Sequence, residues 1–302
     1  MIEAETAVAR EIELAAPAAD GVLLAGTLTL PAGPGPHPAV LCLPGSGKLD
    51  RDSNAGKLRM DLGRPLAATL ARHGIASLRY DRRGVGATPG DWHTVGFLDN
   101  RADAAAALQA LRAHPEVRTA GVLGHSEGAV HAMWLAAHAS PAAAVLLAGY
   151  ARSGEAAVRR QGGRLAEAVP RPLLGVLRRV ASKQLARVSA TTTDAARVGG
   201  IRVNAKWWRE QLAYDPRADL SRVRVPVLAI IGEKDVQVDP ADLDVIADLV
   251  PGARVRRVPD LTHVLRRTDG PGTVFGYRKL LRRPVEDDLL TGIAQWLAER
   301  LR

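Results

Sequence analysis

Short, unbroken apolar runs recur along this chain, and the stretches between them repeat their apolar positions at helical spacing. Glu11–Leu14 and Val22–Leu30 open the series. VLLAGTLTL partly alternates, so the two read as strands joined by a turn around Pro17–Gly21, forming an antiparallel edge. A Pro/Gly-rich connector, Pro31–Pro38, leads into Ala39–Leu43, an apolar strand of the type buried on both faces. Leu62–His73 reads as a helix closed by Gly74 and Ile75–Tyr80 as a strand. Arg101–Ala113 reads as an Ala/Leu helix ended by Pro115, and Thr119–Leu123 as a strand. A further helix runs to about Ser140, where Pro141 stops it, and the strand Ala143–Leu147 follows. Strand signals resume at Val225–Ile231, before a helix at Ala241–Leu249, a strand at Arg254–Val258 and a closing helix at Glu286–Leu301. This alternation predicts an α/β fold, a mostly parallel sheet with helices on both faces.

Between Tyr150 and about Ser221 the strand pattern stops. Leu173, Leu174, Leu177, Val180, Leu185 and Val188 fall near helical spacing, with Arg178, Arg179, Lys183 and Arg187 between them, which predicts an amphipathic helical insertion. Residues 1–149 and 222–302 are then expected to form the core, and 150–221 a helical cap. A chain of 302 residues suits one large domain elaborated in this way, or two small ones. At 47% apolar but only 4% aromatic, the core must be built mainly from Leu, Val, Ala and Ile.

The net charge of +9 is concentrated: Tyr150–Leu220 holds 14 Lys and Arg against 6 Asp and Glu, +8 of the total. Such a segment is either a site for an anionic partner or membrane surface, or a set of solvated helix faces. No basic run is interleaved with aromatics, which favours solvated faces and argues against nucleic acid. The single cysteine, Cys42, excludes an internal disulfide and reads as a buried, inert thiol in the strand LCLPG. MIEAETAVAREIEL carries no apolar signal-peptide core and no apolar run reaches membrane-spanning length, so the expected location is the cytoplasm.

The chemistry centres on Ala120–Met133, AGVLGHSEGAVHAM, a strand, a glycine-flanked turn and a helix that enclose G-x-S-x-G as Gly124, His125, Ser126, Glu127 and Gly128. In a chain with 29 glycines the pentapeptide alone is weak evidence; the strand before it and the helix after it are what make it a nucleophile elbow. Ser126 is the candidate nucleophile. The Glu127 amide at the start of the helix is a candidate oxyanion donor, because free N–H groups and the helix dipole favour negative charge there. A serine hydroxyl needs a base, and the base needs an orienting acid. Asp235 follows the strand VPVLAII and His263 follows RVRRV, both at strand ends where ligands bind in such sheets, and the chain order Ser, Asp, His is that of α/β-hydrolases. Asp239, beside Pro240, is the rival acid; its expected role is to cap the helix at Ala241. The second oxyanion donor is expected after Ala39–Leu43, where Gly45, Ser46 and Gly47 permit close backbone approach, nominating the Ser46 amide. A P-loop is excluded because Lys48 is followed by Leu49 and Asp50. Among the remaining histidines, His125 lies in the elbow, His131 and His138 on its helix, and His93 in a loop bordering the site, while His37, His73 and His114 read as loop or helix-end residues. None forms a metal-binding pattern, so neither metal nor cofactor is expected.

LPGSGKLDRD (43–52), RYDRRGVGAT (79–88), LGHSEG (123–128), GEKDVQV (232–238) and LTH (261–263) together resemble the bacterial α/β-hydrolase carboxylesterases whose oxyanion loop reads GSGPxDRD. The resemblance spans most of the chain, and WWREQLAYDPR (207–217) is similar to a stretch those esterases often carry. It implies Ser126, Asp235 and His263 as a triad, with backbone amides near Ser46 and at Glu127 as the oxyanion hole. It also implies that Asp50, Arg51 and Asp52 brace the loop and that Asp81, Arg82 and Gly84 form a turn. Lys48 stands where that family usually has proline and puts a cation near the expected site. The expected activity is hydrolysis of small-molecule esters with small to medium acyl groups. Peptide or amide hydrolysis and a non-catalytic binding role are the alternatives. Trp92, Trp207 and Trp208 are candidates for the acyl pocket, core packing being the competing role for each. Oligomeric state is left open, a homodimer included.

Overall fold

The computed structural model describes residues 9–167 and 171–302, excepting the side chains of 165–174 and 176–178. The first eight residues of MIEAETAVAREIEL, and the side chains of Leu173, Leu174, Leu177 and Arg178 in the expected amphipathic helix, lie outside the described residues. Strands β1 (Arg10–Pro17) and β2 (Leu23–Leu30) form the antiparallel edge, with Arg10 opposite Leu30 and Pro17 opposite Leu23. β3 (His37–Leu43) is followed by the long loop, which carries a miniature hairpin of β4 (Asn54–Ala55) and β5 (Leu58–Arg59), and then α1 (Gly63–Arg72) and β6 (Ala76–Tyr80). Next come α2 (Phe97–Ala113), β7 (Val117–His125), α3 (Glu127–His138) and β8 (Ala144–Leu147). The expected insertion comprises α4 (Gly154–Glu167), α5 (Arg171–Ser189), β9 (Ala195–Val198), β10 (Ile201–Asn204), α6 (Ala205–Ala213) and the short α7 (Arg217–Leu220). The chain closes with β11 (Val227–Gly232), α8 (Asp242–Leu249), β12 (Arg254–Val258), α9 (Tyr277–Leu280) and α10 (Asp287–Arg300).

One sheet runs β1-β2-β6-β3-β7-β8-β11-β12, and only β2 opposes its neighbours. The parallel strands bury both faces, and alternate residues feed two cores. Leu41, Val122, Leu146 and Ile231 pack against Phe97, Leu108, Val130 and Ile246 of α2, α3 and α8. Val40, Leu123, Val145 and Ile230 pack against Leu66, Leu70, Leu289 and Ile293 of α1 and α10. This is the mostly parallel sheet with helices on both faces expected from the alternation of elements, with Cys42 buried and its thiol pushed up to about 12 by burial.

Two departures are instructive. The helix expected from Arg101 starts at Phe97, because Asp99 accepts a 2.7 Å bond from the Gly96 amide and fixes the first turn earlier than the Ala/Leu pattern shows. The insertion is not purely helical: β9 and β10 pair as a hairpin across Gly199 and Gly200, both at positive φ. A two-residue Gly-Gly loop is the connection that matches strand twist, and flanked by AARV and IRVN it was a legible signal that helical periodicity masked.

Candidate active site

The elbow is built by exclusion of side chains. Ser126 sits at φ 55° and ψ −119°, a conformation that a non-glycine residue holds only when its surroundings enforce it. Its amide donates to the Leu147 carbonyl on β8 at 2.8 Å. A Cβ on Gly124 would overlap the Gly128 carbonyl, and one on Gly128 would overlap the carbonyl of Leu43. Strand and helix therefore approach closer than any side chain permits, and Ser126 is presented at the tip.

Two further loops reach Ser126. His263 Nδ1 lies 2.8 Å from Asp235 Oδ2, and His263 Nε2 lies 3.2 Å from Ser126 Oγ. Asp235 is buried, and its other oxygen accepts from the Gln237 and Val238 amides at 2.8 and 2.9 Å, so both oxygens are held. The loop bearing His263 is a tight turn with Asp260 and Leu265 at positive φ. It is locked from within, since Thr262 donates to the Arg266 carbonyl through its amide at 3.0 Å and its hydroxyl at 2.8 Å. The Arg266 guanidinium, itself buried, returns a bond to the Val264 carbonyl at 2.8 Å. From the elbow, His125 Nε2 donates to the His263 carbonyl at 2.9 Å. Burial, together with the facing His263, depresses His125 to about 3, so its imidazole is neutral and adds no charge to the site. Asp239 does not meet His263. Its carboxylate accepts from the Ala241 amide at 3.0 Å at the start of α8, and it pairs with Arg152 and Arg160.

A cavity of about 70 Å³ opens over Ser126, and its lining includes Ser46, Glu127, Trp207 and Trp208, with Gln161, Gln211 and Gln237 as polar contributors. The two indoles meet edge to face at 5.0 Å. Trp92 is not brought to this cavity, a correction to the expected acyl-pocket set. It sits in a short 3₁₀ turn, Trp92–Thr94, with its ring under the Lys48 ammonium at 5.3 Å. The same contact draws the Lys48 cation onto an indole rather than into the cavity. His93, in that turn, bonds Asp91. Some cations of the insertion form solvated pairs, such as Arg159 with Glu155 and Arg202 with Asp91.

The loop after β3, expected to carry the second oxyanion donor, is braced by charge. Asp81 accepts from the Arg51 amide at 2.7 Å and pairs with the Arg51 guanidinium at 2.9 Å. Asp50 accepts from the Asp52 and Asn54 amides at 3.0 and 2.8 Å, and Asp52 pairs with the buried Arg79. A residue whose side chain sequence reasoning passed over is Glu127. It is buried, and four donors converge on it: Arg82, Asn100, His131 and Trp207. Burial alone would raise its carboxyl, but the Arg82 charge, followed by His131 and Trp207, holds it at about 2. Only the i,i+4 spacing to His131 was visible in the sequence; Arg82, Asn100 and Trp207 arrive from elements remote along the chain.

The family model described as serine aminopeptidase, S33, matches residues 61–266. Esterase EstD of Thermotoga maritima is 27% identical over 284 residues, covering 91% of this chain and 66% of that protein, so the chain spans about two thirds of that relative's length. Est1E from Butyrivibrio proteoclasticus, in a structure titled as holding ferulic acid, superposes with a TM-score of 0.67 at 17% identity, over 96% of this chain and 99% of that one. An esterase of Pyrococcus furiosus gives a TM-score of 0.61 at 16% identity, over 98% and 92%. At such identities the two structures establish the shared fold.

Proposed function

Because this chain belongs to the serine aminopeptidase, S33, family of hydrolases, we propose that it is a serine carboxylesterase acting on small-molecule esters of small to medium acyl groups. The observation that carries the reading is the continuous relay Asp235–His263–Ser126 at 2.8 and 3.2 Å beneath a cavity walled by indoles. In this reading His263 takes the Ser126 proton through Nε2 as Oγ attacks the ester carbonyl. Asp235 holds Nδ1–H in place and stabilises the imidazolium that forms. The Glu127 and Ser46 amides receive the developing oxyanion, His263 protonates the departing alcohol, and a water activated by the same imidazole releases the acid. The 150–221 insertion is the cap, its α4 and α6 walling the acyl side of the cavity through Gln161, Trp207 and Trp208. Support for ester over amide substrates comes from EstD and the two esterase structures. The aminopeptidase description of the family favours peptide hydrolysis as the second reading.

The test is burst kinetics with p-nitrophenyl acetate and butyrate, with intact-mass detection of the acyl adduct. We expect an adduct on the wild-type protein and none on Ser126→Ala. A Ser126→Ala variant that keeps near-wild-type turnover defeats the mechanism. Turnover of aminoacyl anilides in preference to the esters selects the peptidase reading.

A further inference from the structure

The Glu127 carboxylate is placed where three parts of the site meet. Its Oε1 faces the Arg82 guanidinium at 3.2 Å, Asn100 Nδ2 at 3.2 Å and His131 Nε2 at 3.0 Å; its Oε2 accepts from Trp207 Nε1 at 3.0 Å. The other arm of the Arg82 fork donates to the Pro44 carbonyl at 2.9 Å, two residues before Ser46. That same carbonyl stands against Gly128 of the elbow. One side chain, directly after the nucleophile, therefore links the oxyanion loop through Arg82 and the cavity wall through Trp207. Arg82, Asn100 and His131 are buried with it.

A carboxylate suits this position because all four partners are donors and an ionised carboxyl is acceptor-only. An amide is not equivalent. Whichever way it is turned, its NH₂ faces either Trp207 Nε1–H or the donors at Oε1, so one arm must break. Arg82 likewise needs a planar fork, since one nitrogen serves Glu127 and another serves Pro44; a lysine offers a single point of charge.

We propose that the Glu127 side chain is a positioning residue that couples the oxyanion loop to the cap, setting the Ser46 amide through Arg82 and the acyl wall through the Trp207 indole. The inference rests on the esterase reading and deepens it: oxyanion alignment and acyl-pocket shape are set by one group. The two arms predict different kinetic signatures. Loss of the Arg82 arm lowers kcat, because the oxyanion exists only in the transition state, whereas loss of the Trp207 arm raises KM, because the wall contacts the acyl group in both states.

The experiment compares Glu127→Gln, Arg82→Lys, Trp207→Phe and the double variant Glu127→Gln/Trp207→Phe. Rates are expressed per active site titrated with a fluorophosphonate, so that unfolded protein does not count. In parallel, Ki is measured for an alkyl trifluoromethyl ketone. Ser126 Oγ adds to its carbonyl carbon, the Ser126 proton passes to His263, and the ketone oxygen becomes an anion in the oxyanion hole. Arg82→Lys is expected to lower kcat about 10- to 100-fold, with KM within twofold and Ki rising in step with the fall in kcat. Trp207→Phe is expected to raise KM several-fold, roughly the effect of one lost hydrogen bond, with kcat little changed. Glu127→Gln is expected to show both effects, and adding Trp207→Phe to it to raise KM no further. Unchanged kcat and Ki in Arg82→Lys, or KM effects of Glu127→Gln and Trp207→Phe that simply multiply, overturn the proposal. If Glu127→Gln yields no titratable site, Arg82→Lys and Trp207→Phe still decide between these outcomes. A wild-type protein that the fluorophosphonate does not label removes the esterase reading and this inference with it. A labelled wild type with unaltered variants removes the inference alone.

Discussion

Glycines mean opposite things in the elbow and in the cap helices. At Gly124 and Gly128 an added Cβ would strike backbone carbonyls of neighbouring elements, whereas at Gly162 and Gly163 in α4 and Gly175 in α5 it would meet nothing within 4 Å. The elbow is buried from Leu123 to Met133 apart from a partly exposed Ser126, while the described side chains of α5 are mostly exposed, with Val180 45% accessible. In the elbow, glycine permits a close approach of the strand and helix backbones. In the cap helices it only adds backbone entropy to the unfolded chain and weakens the helix. The molecule thus joins an over-determined floor to a roof whose α5 face is open to solvent, and the Glu127–Trp207 bond is one of several polar ties between them, alongside Gln161–Gln237 and Lys206–Asp99.

The contrast can be broken or sharpened by substitution. Asp235→Asn leaves the floor folded but denies His263 its orienting anion; kcat should fall about 10⁴-fold, roughly 5 kcal/mol, with unaltered urea stability. Retained turnover would break the claim that the floor acts as one preset unit. Gly128→Ala forces a methyl group into the Leu43 and Pro44 carbonyls, and should cost more than about 4 kcal/mol in urea unfolding and abolish fluorophosphonate labelling. An alanine variant with wild-type stability would show that the elbow can relax.

The third prediction is a pH dependence. Glu127 ionises at about 2 in the folded protein against 4.5 for an ordinary glutamate. Its folded value is the lower one, so its contribution, about 3 kcal/mol, is complete above pH 4.5 and disappears as pH falls toward 2. Glu127→Gln should therefore flatten the acid limb of the stability profile measured by urea midpoints. Parallel profiles would contradict an ionised, paired carboxylate. The smallest effect is in the roof: Gly162→Ala and Gly163→Ala should each stabilise α4 by about 1 kcal/mol, raising Tm by roughly a few degrees together. A fall in Tm would mean that α4 is as constrained as the elbow.

Much of this was readable from local pattern. Apolar runs fixed the order of strands, Pro and Gly marked their limits, and the chain order of Ser126, Asp235 and His263 after three strand ends identified the groups the fold brings together. These are consequences of short-range chemistry: a strand buried on both faces must be apolar, and an elbow must be flanked by residues without side chains. Asp239 was separable from Asp235 on the same basis, since an Asp before Pro240 at a helix start has a local partner in the Ala241 amide.

What the tertiary structure decided depends on contacts between residues far apart in the chain. Trp92, Trp207 and Trp208 are equivalent as letters, yet the fold sends Trp92 beneath Lys48 and the other two to the cavity. Glu127 reads as a helix-start acid whose value lies in its amide. Only the convergence of Arg82, Asn100, His131 and Trp207 makes its side chain a meeting point of elements remote along the chain. The sequence by itself determined which groups could react, because reactivity belongs to residue type and local turn. Which neighbours orient those groups was decided by packing, because a buried charge takes its partners from whatever elements the sheet order places around it.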